Sequence, residues 1–127
     1  MEIQQPVVLI ADDEDGIREL LKIALCQSGF QVLEAEDGEA AIKMIRSSNI
    51  DVVISDVLMP QLSGIQVLEI MRSEGIQTPF VLISGCASDI VATAQRLGVF
   101  DFIQKPFDFG IISNIVSAAV RSKIAQA

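Results

Sequence analysis

The stretch Val7-Val8-Leu9-Ile10-Ala11-Asp12-Asp13-Glu14-Asp15 runs five apolar residues straight into four acids. A short continuous apolar run suits a strand buried on both faces, as strands of a parallel sheet are. The period then changes. Ile17, Leu20, Leu21, Ala24 and Leu25 fall at the spacing of one helical face, and Gly29 closes the segment. The same alternation repeats outward. Residues 31–36, with Val32 and Leu33, read as a second strand, and Asp37-Gly38-Glu39 opens a helix through Ala40, Ala41, Met44 and Ile45. Ile50-Asp51-Val52-Val53-Ile54-Ser55 is a third, strongly β-branched run, and Ser63 caps a helix carrying Ile65, Val67, Leu68 and Met71 that ends at Gly75. Pro79-Phe80-Val81-Leu82-Ile83 is a fourth strand, and a helix capped by Ser88 or Asp89 runs through Ile90, Ala94 and Leu97 to Gly98. Residues 99–103 form a fifth strand, and after Pro106 a last helix runs to about Lys123. Five strands in strict alternation with five helices predict an α/β fold, a parallel sheet with right-handed crossovers and helices on both faces. The flavodoxin-like order 2-1-3-4-5 and a half-Rossmann sheet both suit this length.

The 127 residues predict a single domain, long enough to enclose a core without disulfides or a structural metal. Half the residues are hydrophobic and 20% are charged, which excludes a disordered chain. Seventeen acids against nine bases leave a net charge of −8, so the surface repels nucleic-acid phosphates and anionic membranes alike. There is no histidine, which excludes Ser-His-Asp and Cys-His catalysis, most catalytic zinc sites and any phosphohistidine on this chain. Cys26 and Cys86 form neither a CxxC pair nor a disulfide framework, and reduced thiols in the cytoplasm are expected. Met1-Glu2-Ile3-Gln4-Gln5 does not read as a signal peptide, and the longest uncharged run, residues 75–88, is too polar to span a bilayer.

In open parallel sheets ligands bind beyond the carboxyl ends of the strands. Asp12 and Asp13 follow the first run, Asp56 the third, Ser84 the fourth and Lys105 the fifth. In a 2-1-3-4-5 sheet the first and third strands are neighbours, so three carboxylates converge on one edge. Clustered anions repel unless a cation joins them, and hard oxygen donors suit Mg²⁺. Lys105 adds a point charge able to hold a phosphate, and Ser84 adds a hydroxyl donor. Together these are the parts a phosphoryl group needs, with one carboxylate available as nucleophile. Taken singly each residue has a plainer role: an acidic helix start favoured by the macrodipole, a turn aspartate, a loop serine, a surface lysine. Glu14 and Asp15 are expected to have only that plainer role.

At these residues the chain resembles the receiver domain of two-component response regulators, over nearly all of its length. Asp12-Asp13-Glu14 matches the acidic pair, Asp56-Val57-Leu58-Met59-Pro60 the phosphoacceptor segment, and Ser63-Gly64 the start of the third helix. Ser84-Gly85, Phe102 and Lys105-Pro106-Phe107 match the hydroxyl residue, the switch aromatic and the lysine–proline segment, whose peptide bond is usually cis in this family. The resemblance selects the strand order 2-1-3-4-5 and implies one receiver domain over residues 1–127. It further implies that Asp56 accepts a phosphoryl group from a histidine of a sensor kinase or phosphotransfer protein. Asp13, Asp56 and the backbone carbonyl of Leu58 would ligate Mg²⁺, and Asp12 would act through metal-bound water. Lys105 and Ser84 would hold the phosphoryl oxygens, with Ser84 and Phe102 moving as the switch. The implied result is a cytoplasmic signalling switch that changes the surface of the fourth helix, fifth strand and fifth helix. It is a phosphoacceptor, with slow dephosphorylation of its own, and not a turnover enzyme. Its partners would be the kinase and a downstream protein, with a homodimer through the fourth and fifth helices as one form of output.

Leu58 and Cys86 depart from the polar residues many relatives carry, and Val99 replaces a common alanine. Leucine has no group to orient water and a thiol is a weak one, so a long-lived phospho-Asp56 is expected. Ile111, Ile112, Ile115, Val116, Ala118, Ala119 and Val120 cover a helical arc of roughly 200°, about twice the ordinary buried stripe, so part of it is expected to meet a partner. Two other classes compete. A haloacid-dehalogenase-type phosphatase wants an Asp-x-Asp pair where this chain has adjacent acids, and a pseudo-receiver that only docks would not need the complete acceptor set. The stretch after Lys105 is too short to encode an output domain, so either a stand-alone receiver or one cut from a longer regulator is expected.

Overall fold

The computed structural model describes residues 5–85 and 88–126, with residues 88–89 and 124–126 described by backbone alone. The elements alternate as β1 (Val7–Ala11), α1 (Asp15–Gln27), β2 (Gln31–Ala35), α2 (Gly38–Ser47), β3 (Val52–Asp56), α3 (Gly64–Ser73), β4 (Phe80–Ser84), α4 (Ser88–Arg96), β5 (Asp101–Gln104) and α5 (Phe109–Gln126). The five strands form one parallel sheet in the order β2-β1-β3-β4-β5. The flavodoxin-like expectation holds and the half-Rossmann alternative does not.

Alternation within the strands builds two cores. Leu9, Val53, Phe80 and Leu82 point to the face covered by α2, α3 and α4, where Ile42, Leu68, Met71 and Ala94 are buried. Val8, Ile10, Val52, Ile54 and Val81 point the other way, against Leu21 and Leu25 of α1 and Ile112, Val116 and Ala119 of α5. Continuous apolar strands are what a sheet covered on both faces requires. The α5 arc is largely used by this packing. Ile115 and Val120 rest against the core, and Ile111, at 52% exposure, is the large apolar residue of that arc left open. The expectation of a broad free apolar stripe is thereby narrowed to one isoleucine, because the sheet and α1 together cover more of the helix than one sheet face could.

The strand ends differ from the sequence reading by about one residue. Asp56, Ser84 and Gln104 are the last residues of β3, β4 and β5, not the first residues after them. Backbone hydrogen bonding carries the ladder past the apolar run: Val57 N donates to Ile83 O at 3.0 Å and Lys105 N to Ser84 O at 2.8 Å. β3 begins at Val52, not Ile50, and β5 at Asp101, not residue 99. α5 continues past Lys123 to Gln126, and α4 begins at Ser88, one of its two expected caps, with residues 86–87 outside the described ones.

Caps follow the expected chemistry. The Asp37 carboxylate accepts from Ala40 N at 2.8 Å. Ser63 and Gln66 form a reciprocal capping box at the start of α3. Gly64 is required there by space, because a Cβ would lie 2.4 Å from the Asp56 carbonyl oxygen. The amino edge of the sheet is tied by polar bonds. Asp51 accepts from Val7 N at 2.8 Å and pairs with Lys123 at 3.0 Å. Arg72 of α3 donates to four carbonyls, those of Ile76 and Thr78 before β4 and of Leu97 and Gly98 after α4. No helix among the described residues is long and apolar enough to cross a membrane.

Candidate functional site

Because β1 and β3 are adjacent, the residues that end them share one edge. Carboxylate oxygens of Asp12, Asp13 and Asp56 lie within 4.8 Å of one another. Asp12 is 1% exposed and Asp56 is buried, whereas Asp13 faces solvent. Lys105, carried past the end of β5, places its Nζ 2.9 Å from Asp56 Oδ2. Leu58 N approaches Asp56 Oδ1 at 3.4 Å. Asp12 Oδ1 accepts from Glu14 N at 2.9 Å, while its buried Oδ2 has no hydrogen-bond partner. A buried acceptor left without a partner is costly, and in a native site it calls for an ion or a water.

The charges act on one another accordingly. Burial pushes the Asp12 carboxyl above its usual range, against the hydrogen bond from Glu14 and with help from the charge on Asp56. Burial alone would lower the Lys105 ammonium, but the hydrogen bond and charge of Asp56, with Asp12 and Glu14 behind it, hold it above its usual value.

These groups line an open cleft of about 410 Å³ with Asp13, Asp56, Leu58, Ser84, Ile90 and Lys105 in its wall. Ser84 is buried at the end of β4. Leu58, two residues past Asp56, is 77% exposed. Phe102 is half-buried on β5 against the core under α2, α3 and α4. The Lys105–Pro106 bond is cis. Cys86 lies outside the described residues. Cys26 is a free thiol exposed on α1.

Three participants were not singled out from sequence as parts of the site. Glu14 lines the cleft, beyond its place at the helix start. Ile90 gives the cleft an apolar shoulder, and its helical spacing on α4 carried no sign of that. Arg18 reaches back from α1 to donate to the Asp12 carbonyl at 2.7 Å. Its only sequence signal is the three-residue spacing from Asp15.

Comparison with known proteins gives the same frame. The response regulator receiver domain model matches residues 8–117. The chain is 36% identical over 115 residues to the regulatory protein AtoC of Escherichia coli, covering 90% of this chain and 25% of that protein. It is 32% identical over 120 residues to the alkaline phosphatase synthesis transcriptional regulatory protein PhoP of Bacillus subtilis, covering 93% of this chain and 50% of that one. It therefore spans half or less of these curated relatives. Among solved structures, a Francisella response regulator receiver domain superposes with a TM-score of 0.89 at 31% identity, covering 94% of this chain and 99% of the other. Matched over residues 8–117 and sharing the strand order of that fold, the chain belongs to the receiver domain family of two-component response regulators.

Proposed function

We propose that the chain, as one receiver domain over residues 1–127, is a phosphorylation-controlled switch in which Asp56 accepts a phosphoryl group from a histidine of a partner kinase or phosphotransfer protein. The observation that carries this reading is the three-carboxylate cluster with Lys105 bonded to Asp56 and one buried Asp12 oxygen left unpaired. A hard divalent cation fits that donor set: all oxygen, excess negative charge, and an orphaned acceptor. Asp13, Asp56 and the Leu58 carbonyl would hold Mg²⁺ directly, with Asp12 reaching it through water. When bound, the ion supplies positive charge to the phosphoryl oxygens.

The chain's own groups do the rest. A carboxylate oxygen of Asp56 attacks phosphorus, the bond from phosphorus to the donor nitrogen breaks, and the electron pair returns to the donor imidazole. Lys105 offsets charge on the phosphoryl oxygens and Ser84 donates to one of them. Phe102 turns inward as Ser84 moves, and the α4–β5–α5 face changes for a downstream protein or a second copy of the chain. The domain accepts and slowly loses the group instead of turning over a substrate.

Acetyl phosphate labelling with Mg²⁺ tests this reading. We expect one label per chain on Asp56 and none on Asp56→Asn. Label on Asp12 or Asp13 would overturn the assignment, and continuous release of phosphate at enzyme rates would favour the phosphatase class instead.

A further inference from the structure

Arg18 stands one turn into α1, and its main-chain N donates to Glu14 O at 3.1 Å as an ordinary helical bond. Its side chain folds back over the preceding turn, the direction helical side chains take. Nη1 donates to the Asp12 carbonyl at 2.7 Å, Nη2 to Asp15 Oδ1 at 2.5 Å, and Nε lies 3.5 Å from Glu34 Oε1 on β2. The side chain is 13% exposed, whereas its partner Asp15 is 88% exposed. An exposed pair at this spacing contributes little by itself. A mostly buried guanidinium fixed to the main chain at the first residue past β1 is a different object.

The Asp12 carbonyl lies beyond the last rung shared by β1 and β2, where Ala11 pairs with Ala35. The Asp12 amide still reaches Ala35 O at 3.1 Å, and Arg18 supplies the donor for the carbonyl of the same residue, in the next peptide link. This turn carries two of the three clustered carboxylates. Like charges at this range push the turn away from Asp56, and something independent of those side chains must hold it. Arg18 grips the backbone on one side and Glu34 on the other, which spans the turn from α1 to the edge strand.

We propose that Arg18 is a positioning residue for the divalent-cation site, holding the Asp12–Asp13 turn in place against the repulsion of the cluster it carries. The proposal rests on the metal reading above. It is separable from simple electrostatics by sign. Removing a positive charge near an anionic site strengthens cation binding by Coulomb's law, whereas releasing the turn weakens it.

Mn²⁺ titration followed by the resonance of the free ion gives affinity without any phosphodonor. We expect Arg18→Gln to bind Mn²⁺ about ten-fold more weakly than wild type, the lower end of what losing an outer supporting group costs a metal site. Arg18→Lys, which keeps the charge but cannot bridge the Asp12 carbonyl and Glu34 as a planar fork, should also weaken binding, and it carries the test if the glutamine variant does not fold. Lys22→Gln, which removes a neighbouring charge from Glu34 without touching Asp12, should bind as tightly as wild type or tighter. Amide spectra of folded Arg18 variants should change chiefly in the turns after β1 and β2. Wild-type binding with unchanged or tighter Arg18 variants would overturn the role of Arg18 alone. A wild-type chain that binds no Mn²⁺, or binds it equally well after Asp13→Ala, would overturn the metal reading and this proposal together.

Discussion

β3 has an aspartate at each end, and both meet a lysine from a distant part of the chain. Asp51, just before the strand, pairs with Lys123 at 3.0 Å; Asp56, its last residue, pairs with Lys105 at 2.9 Å. From there the two ends diverge. The other Asp51 oxygen takes a 2.8 Å hydrogen bond from Val7 N, and Lys123 also donates to Ile50 O at 3.2 Å. The tie is closed, and it pins the start of β1 and the end of α5 to β3. The other Asp56 oxygen has a long 3.4 Å contact with Leu58 N, and two more carboxylates stand within 4.8 Å. One lysine cannot neutralise three acids. The same pair of residues is therefore a fastener at one end and a site at the other, and what decides is the surrounding charge, not the pair.

The comparison can be broken most sharply by labelling. Asp51→Asn should take up phosphoryl label from acetyl phosphate to the wild-type level, while Asp56→Asn should take up none; equal loss in both would mean that the two ends are not chemically distinct. Next in size is the lifetime of the label. Leu58 walls the open side of Asp56 without a polar group to orient water. Phospho-Asp56 should last many minutes, and Leu58→Asn with Cys86→Glu should shorten it several-fold, the decay being followed after the phosphodonor is removed. Decay within seconds in the wild type would remove Leu58 and Cys86 from control of the lifetime.

Stability separates the ends in opposite directions. Asp51→Ala strands the Val7 amide and Lys123, and should cost about 1–2 kcal/mol in urea unfolding. Asp56→Asn removes one of three like charges and should leave the metal-free protein as stable as wild type or about 1 kcal/mol more so. A loss at Asp56 equal to that at Asp51 would make both pairs fasteners. The smallest expected effect is that of Mg²⁺. At a concentration equal to its Kd it should add roughly 0.4 kcal/mol to wild type and to Asp51→Ala alike, and nothing to Asp13→Ala. Thermal shifts with and without EDTA measure it.

The apolar runs at Val7-Val8-Leu9-Ile10-Ala11 and Val52-Val53-Ile54 made the sheet legible, because strands buried on both faces need no alternation to be seen. The strand ends read one residue early from sequence because Asp56, Ser84 and Gln104 are polar yet still sit on the ladder. Their backbone continues a pattern that their side chains hide. Asp56 and Lys105 were visible as acid and base at strand ends, and the order of strands then brought them together. The closed tie at Asp51 was not visible, since its lysine is 72 residues away and nothing in the intervening sequence announces it. Arg18 and Arg72 escaped for a related reason. Both give hydrogen bonds to main-chain carbonyls, and a carbonyl has no letter in the sequence.

That last property gives Arg72 an evolutionary consequence. Its four acceptors belong to Ile76, Thr78, Leu97 and Gly98, and it uses the backbone of each. Any amino acid would offer the same oxygen. The clasp itself asks nothing of the side chains at positions 76, 78 and 97, although Ile76 and Leu97 answer separately to the core they pack against; position 98 is held to glycine by its φ of 76°. The arginine has no such freedom, because a lysine is a single compact point charge without the planar fork that spreads across two loops at once. One side chain thus ties an entire rim, and what constrains its acceptors' own side chains is the core and the turn at Gly98, not the clasp.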